Sequence, residues 1–343
     1  MIPKAGSTNC EAGARVPGTT AAGGVFESEF MPAWWLSNPH LQTLWPVLFR
    51  WRPRPSLERE RVELPDGDFV DIDWAGDGER LALILHGLEG GSNSPYARGL
   101  LSALVRRGFR AGVLHFRSCS GTLNRLPRTY HSGDTADLAY VASRIVAGRG
   151  GKPLSLVGFS LGGNVLLKWL AETGDDAPVD AAVTVSVPFL LAEVASRLER
   201  GASRLYQWSL VSALKRKMRR KLDSRPLPPG IVDFAAARTF YQFDNQVTAP
   251  LHGFAGADDY YRRASCRPVL GRVRRPTLII HALDDPFMTP RVLPEARELS
   301  PQIRLEISAA GGHVGFIEGA IPGWPGYWLE RRIPDFLEQA TGN

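Results

Sequence analysis

The middle of the chain reads Gly158-Phe159-Ser160-Leu161-Gly162. An apolar run at 154–157 precedes this pentapeptide, and a segment of helical pattern follows it at 164–170. Strand, tight turn and helix in this order are the context in which G-x-S-x-G forms a nucleophile elbow. The flanking glycines relieve the crowding of such a turn and leave the Ser160 hydroxyl exposed at a helix N-terminus. The pattern predicts a nucleophilic serine; the alternative is a glycine-rich turn whose serine only caps the helix.

Composition bounds the class of protein. With 44% apolar and 22% charged residues over 343 positions, the chain has the composition of a globular protein with a large core. Its three cysteines, Cys10, Cys119 and Cys266, form neither a disulfide framework nor a metal-ligand pattern, which favours a cytoplasmic location. The net charge of +6 comes without a nucleic-acid-binding motif, so we expect no nucleic-acid partner. The sequence contains no run of about 18 apolar residues, so we predict no transmembrane helix.

Strand and helix signals alternate along the core. A hairpin is predicted at 62–74, an apolar buried strand at 81–85, and a helix that Ser94-Pro95 opens and Gly108 ends. Further strands are predicted at 111–116, 154–157, 181–187, 276–280 and 303–307. This order predicts an α/β fold with a mostly parallel, doubly wound sheet, helices on both faces and a helical lid insertion.

Changes of pattern divide the chain. The first residues are rich in small and polar types without periodicity, and the strand–helix alternation is interrupted after residue 189. The predicted parts are a disordered tail at 1–25, an aromatic N-terminal arm packed on the core at 26–60, the α/β core at 61–189 and 273–343, and the helical lid at 190–272.

The arm has two interpretations. It concentrates aromatic side chains at Trp34, Trp35, Trp45, Phe49 and Trp51. Packing over the core is the interpretation that we prefer. The alternative is an interfacial anchor, because Trp and Arg together suit a membrane surface.

A serine nucleophile needs a base, and the base needs an acid that orients it. Asp284 and Asp285 follow the strand predicted at 276–280, and His313 follows the strand at 303–307. These are the positions at which acid and base follow an elbow serine. The spacing from a small residue favours Asp285 as the acid, with Asp284 as the alternative.

The oxyanion of an acyl-transfer intermediate needs two N–H donors. We assign one to Leu161, directly after the nucleophile, and the other to Leu88, in the glycine-rich loop after the strand at 81–85. That loop lacks the spacing of a phosphate-binding motif, and no metal-ligand motif is present. We therefore expect no cofactor and no metal.

Several motifs together resemble the YheT-like branch of the α/β-hydrolases, the AB hydrolase 4 family. The resemblance runs from about Met31 to the C-terminus. It rests on the elbow and on the segments 38–43, 86–92, 115–121, 131–135, 248–254, 284–287 and 311–316. It implies esterase activity, with lipid-acting relatives in eukaryotes, and a triad of Ser160, His313 and one of the two aspartates. One departure is Ser118, where glycine is more usual; we expect its Cβ to narrow a loop near the pocket and so to affect the substrate preference rather than the chemistry.

The predicted lid carries a basic segment at 197–225, in which apolar residues are interleaved at helical spacing. One interpretation is an amphipathic helix with a solvated basic face. The other is contact with an anionic membrane or with substrate head groups.

These patterns predict a serine hydrolase that cleaves small-molecule carboxylic esters, with short- to medium-chain acyl or lipid-like groups, through an acyl-enzyme. One alternative is an acyltransferase with an alcohol as acceptor. Another is a catalytically silent, membrane-associated binding protein. The sequence leaves the acyl-chain length and the oligomeric state open.

Overall fold

The computed structural model describes residues 23–50, 55–223, 230–231 and 234–342. Nine strands of these residues form one sheet. They are β1 (Gly24–Glu27), β2 (Glu58–Glu63), β3 (Phe69–Ala75), β4 (Arg80–Leu85), β5 (Phe109–His115), β6 (Leu154–Phe159), β7 (Val179–Val185), β8 (Thr277–Ala282) and β9 (Ile303–Ser308). The helices are α1 (Pro39–Phe49), α2 (Pro95–Arg106), α3 (Ala136–Ala147), α4 (Leu161–Thr173), α5 (Leu191–Leu198), α6 (Ser203–Leu222), α7 (Phe240–Phe243), α8 (Ala249–Leu251), α9 (Ala257–Ala264) and α10 (Leu329–Ala340).

The strand order is β1-β9-β8-β7-β6-β4-β5-β3-β2. From β1 to β5 all neighbouring strands in this order are parallel, whereas β3 pairs antiparallel with both β5 and β2. The predicted mostly parallel sheet with an antiparallel hairpin is therefore confirmed.

Burial on both faces explains the continuous apolar runs of the central strands. In β4, Leu83 and Leu85 pack in the cluster that includes α3 and α4, whereas Ala82 and Ile84 pack in the cluster that includes α2 and α10. Side chains alternate between the two faces of a strand. When helices cover both faces, neither set of side chains contacts solvent, and apolar residues occupy consecutive positions.

The N-terminal region differs from its prediction. Residues 1–22 of the predicted tail and 51–54 of the arm lie outside the described residues. The strand β1 was not predicted; it pairs with β9 from Gly24 to Glu27. The predicted tail was expected to end at residue 25, which lies inside this strand. A four-residue edge strand shows too little alternation to be recognised in a sequence.

The insertion between β7 and β8 contains α5–α9 and has apolar clusters of its own. Val211 and Met218 of α6 pack with Phe234, Phe243 and Val247 in one of them. Even α6, at 20 residues, lacks the apolar length needed to span a bilayer, and so does every other helix of the described residues.

The elbow joins β6 to α4 through backbone contacts that exclude side chains. A Cβ atom on Gly158 would lie 2.6 Å from the Gly162 carbonyl oxygen and from the Gly163 Cα. A Cβ on Gly162 would lie 2.5 Å from the Leu85 carbonyl oxygen at the end of β4. The glycines of the motif are therefore required by packing between three backbone segments.

We expect Gly158→Ala to lower the free energy of unfolding by about 3 kcal/mol, because the new methyl group meets backbone atoms that cannot move independently. Urea denaturation followed by circular dichroism measures the change. Gly148→Ala is the control: its Cβ would lie 3.5 Å from the nearest atom, the Arg144 carbonyl oxygen, and the expected change is within about 0.5 kcal/mol. Equal stability of the two variants would contradict the packing argument.

Candidate active site

Ser160 stands at the N-cap of α4 in a strained backbone conformation, with φ of 50° and ψ of −118°. Its N–H donates to the Val185 carbonyl of β7 at 2.9 Å, and its carbonyl accepts from the Gly163 N–H at 2.9 Å. Positive φ is uncommon outside glycine, and strain of this kind persists only where surrounding contacts enforce it. The elbow thus fixes the direction of the Ser160 side chain.

The structure brings Ser160, His313 and Asp285 together. His313 Nε2 lies 3.0 Å from Ser160 Oγ, and His313 Nδ1 lies 2.8 Å from Asp285 Oδ2. A carboxylate at Nδ1 selects the tautomer that carries its proton there, so Nε2 is free to accept the serine proton. Phe287 stacks on the imidazole with ring centroids 4.0 Å apart and holds the plane of the ring.

The two adjacent aspartates have different contacts. Asp285 is buried and faces His313, whereas Asp284 Oδ1 accepts the Gly312 N–H at 2.9 Å. Burial raises the pKa of Asp284 above its ordinary value. Asp284 therefore supports the backbone of the histidine loop, and the geometry favours Asp285 as the partner of the imidazole.

The loop that carries His313 is strained as well. Val314 and Phe316 have φ of 61° and 45°, which is unusual for a β-branched and for a bulky residue. The Val314 N–H donates to Ser186 Oγ at 3.0 Å, and the Phe316 N–H donates to the Gly311 carbonyl at 3.0 Å. Such a loop requires external support.

That support comes from the segment 38–43, a motif whose role sequence reasoning missed. The His313 N–H donates to Thr43 Oγ1 at 2.9 Å. The fully buried Gln42 amide donates to the Ile317 carbonyl at 3.0 Å and accepts the Ile317 N–H at 2.7 Å. The Asn38 side chain caps α1 and so orients both residues. The only sequence signal was the motif itself, because contacts over some 270 positions leave no local pattern.

Leu88 and Leu161 border the same cavity as Ser160. Within the described residues, neither backbone N–H donates to a protein acceptor, so both remain available. The loop of Leu88 is held by His86, whose Nδ1 lies 2.6 Å from the Gly87 carbonyl and whose Nε2 accepts the Phe116 N–H at 3.2 Å. Burial lowers the pKa of His86 to about 3, so this ring is neutral and structural.

The cavity beside Ser160 is largely apolar and measures about 120 Å³. The insertion between β7 and β8, the predicted lid, supplies much of its wall, with Leu191, Val194 and Leu198 from α5 and Leu210 and Leu214 from α6. Asp244, in a π-helical turn between α7 and α8, is a polar residue of this wall. Its carboxylate accepts hydrogen bonds from the hydroxyl groups of Tyr261 at 2.8 Å and Thr248 at 2.6 Å. Burial raises the pKa of Asp244 to about 6.

Ser118, whose side chain was expected to affect the pocket, is not part of the cavity wall. It has φ of 64° and bonds Asn124 instead. That positive φ is the physical reason why glycine suits its position.

A possible ligand set for a metal consists of His131, Asp134 and His252, whose donor atoms lie within 4.8 Å of one another. Asp134 already pairs with Arg128 at 2.8 Å, and His131 Nδ1 accepts the Gly133 N–H at 3.1 Å. With a guanidinium on its only carboxylate, the group does not suit a cation.

Two lysines of α6 point inward and attach the lid to the core. Lys217 Nζ lies 2.7 Å from Glu89 Oε1, next to Leu88, and 3.0 Å from Cys119 Sγ. Burial works against its charge, but Cys119 and Glu89 outweigh burial and raise the pKa of Lys217. Lys221 is buried and bonds Asn124 and the Arg128 carbonyl. These contacts were not predicted, because both lysines were assigned to a solvated or membrane-facing basic surface.

We expect Lys217→Met to loosen α6, because it leaves the largely buried Glu89 with the Tyr130 hydroxyl but without its cation, and breaking a buried ion pair costs up to about 3–5 kcal/mol. Amide hydrogen exchange in α6 should accelerate by about tenfold or more, whereas β6 should be unchanged. Arg219→Met, at an exposed position of the same helix, is the control. Wild-type exchange rates in the Lys217 variant would show that the pair does not hold the lid.

Comparison with known proteins identifies the family of the chain. A family model described as alpha/beta hydrolase fold matches residues 83–320. The Escherichia coli K12 protein named "Putative esterase YheT" is 46% identical over 328 residues, which cover 93% of this chain and 96% of that protein. The mouse protein named Phospholipase ABHD3 is 28% identical over 328 residues, or 92% of this chain and 79% of its own length.

Solved structures support the fold. The Pyrococcus furiosus esterase Pf2001 superposes with a TM-score of 0.53 at 15% identity, covering 85% of this chain and 97% of that one. Together, the sheet order, the elbow, the family match and the relatives show that the chain belongs to the α/β-hydrolase family.

Proposed function

We propose that this α/β-hydrolase cleaves carboxylic esters through an acyl-enzyme formed on Ser160. The observation that carries the proposal is the continuous chain of contacts from Ser160 Oγ to His313 at 3.0 Å and from His313 to Asp285 at 2.8 Å. Relatives named as an esterase and as a phospholipase support the choice of esters. The apolar cavity wall supports acyl groups that are short, medium-length or lipid-like.

In the first half-reaction, His313 Nε2 takes the hydroxyl proton while Ser160 Oγ attacks the ester carbonyl carbon. The carbonyl oxygen becomes an oxyanion, for which the Leu88 and Leu161 N–H groups are the available donors. Losing one such donor costs about 3 kcal/mol of transition-state stabilisation. His313 then gives its proton to the leaving alcohol, and the acyl group remains on Ser160.

In the second half-reaction, His313 takes a proton from water, whose oxygen attacks the acyl carbon. The proton returns to Ser160 Oγ as the carboxylic acid leaves, so the site is restored. Throughout both halves, Asp285 keeps the imidazole oriented and stabilises its charged form.

An anionic membrane is the partner that we propose for the basic segment 197–225. Of its charged side chains, Arg204, Arg216, Arg219 and Arg220 are exposed on α6. Each basic residue near an anionic surface contributes about 1 kcal/mol to binding. Lys217 and Lys221 do not take part, because they face the core. With this partner, we propose a cytoplasmic location peripheral to the inner face of the membrane.

Ser160→Ala should reduce turnover of an activated aryl ester by about four orders of magnitude or more, because it removes the oxygen that attacks the ester and carries the acyl group. It should also abolish labelling by a fluorophosphonate probe. Initial rates and gel fluorescence measure the two effects. Retained activity in a purified variant with an unchanged circular dichroism spectrum would refute the proposal.

The two aspartates provide a matched pair. Asp285→Asn should lower kcat by about 10⁴-fold, because an amide facing Nδ1 favours the wrong imidazole tautomer. Asp284→Asn keeps a carbonyl acceptor for the Gly312 N–H and should stay within about tenfold of wild type. Steady-state kinetics on the same ester compares them. The reverse order would assign the acid to Asp284.

A further inference from the structure

Three segments that are far apart in sequence expose large apolar side chains. Residues 31–49 expose Trp34 and Leu48 at 69% and 65% of their surface, and Met31, Val47 and Phe49 are similarly exposed. The start of α6 exposes Leu205 and Trp208, the latter at 70%. The loop 319–325 exposes Ile321 and Trp324, the latter at 79%. Isolated apolar side chains on a surface need no explanation, but a contiguous group does.

Direct contacts join the three segments into one surface, which we term the apolar face. The Trp34 indole donates to the Ala320 carbonyl at 2.9 Å, and the Trp35 indole donates to the Gly319 carbonyl at 3.2 Å. His40 of α1 bonds the Tyr206 hydroxyl at 3.1 Å and stacks on its ring. Trp34, Trp208 and Trp324 therefore stand on neighbouring elements, all exposed.

The charges around this face decide what covers it. The segments 31–49 and 319–325 contain no charged residue, and α6 contains arginines and lysines but no Asp or Glu. The exposed side of α6 passes from Leu205 and Trp208 to Arg216, Arg219 and Arg220. A second copy of the chain would bring no acidic partner from these segments. A bilayer with anionic head groups offers both an apolar interior and the opposite charge, and Trp prefers such an interface.

The apolar face also adjoins the reaction site. Tyr206 packs on Phe287 with ring centroids 4.8 Å apart, and Phe287 stacks on His313. One to two turns further along α6, Leu210 and Leu214 line the cavity that contains Ser160. A lipid held at this face therefore lies close to the cavity wall formed by the same helix.

We propose that the apolar face docks this hydrolase on an anionic lipid bilayer, from which its ester substrate enters the Ser160 cavity beside α6. The inference rests on the proposed esterase function for its substrate, but its surface is defined independently of the triad. It also extends the proposed membrane contact, because residues 31–49 and the loop 319–325 insert into the bilayer while the arginines of α6 bind lipid head groups.

The test is co-flotation of the full chain with vesicles of phosphatidylglycerol and phosphatidylcholine, compared with vesicles of phosphatidylcholine alone. We expect binding to the anionic vesicles that weakens with added salt. Val47→Glu, Trp208→Glu and Trp324→Glu should each reduce the bound fraction by about tenfold, because each places a carboxylate in the inserted surface. Val25→Glu, an equal charge change at an exposed apolar position of β1, is the control and should bind as wild type.

Two readouts separate this inference from the proposed function. Hydrolysis of a soluble activated ester should be unchanged in the three face variants, whereas release of fatty acid from vesicle lipids should fall with binding. Wild-type binding without hydrolysis of any ester would overturn the esterase proposal and leave the docking surface standing. Absence of wild-type binding, or equal binding of all variants, would overturn the docking inference. So would a wild-type dimer, measured by light scattering, that the face variants convert to monomers.

Discussion

The approach of three backbone segments at the elbow is the constraint on which the rest of the structure depends. Without side chains at Gly158 and Gly162, the end of β6 and the start of α4 lie against the end of β4. At this contact Ser160 takes its strained conformation, and the loop of Leu88, which continues from β4, lies beside it. One steric requirement thus brings the candidate nucleophile close to the candidate oxyanion donors, and the buried His86 ring completes the support of the Leu88 loop.

The candidate site residues that could be identified from the sequence are those that directly follow a strand of the sheet. Parallel strands end at one edge of a sheet, so residues that follow β6, β8 and β9 meet there, and Ser160, Asp285 and His313 could be selected without the structure. Which of Asp284 and Asp285 faces His313 could be seen only in the structure, because the direction of two adjacent side chains depends on how the loop turns. The inward direction of Lys217 and Lys221 could not be predicted either, because composition does not distinguish a lysine in contact with solvent from one in contact with Glu89.

The lid is chemically different on its two sides. On its inner side, α6 presents Leu210 and Leu214 to the cavity and Lys217 to Glu89, which ties the helix to the loop of Leu88. On its outer side, it presents Trp208 and a group of arginines. One helix therefore connects the outer surface with the loop of Leu88, and a displacement of that helix changes the cavity wall and the surroundings of Leu88 together.

The buried amide of Gln42 has a consequence for the design of chimeric proteins. The region recognised as alpha/beta hydrolase fold, 83–320, contains Ser160, Asp285 and His313 but neither Gln42 nor Thr43. Because those two side chains hold the backbone of the histidine loop, the arm and that loop form one structural unit despite their separation in sequence. A chimera that takes residues 23–50 from one relative and the core from another must therefore match the arm to residues 311–317, as closely as subunits of an obligate complex are matched.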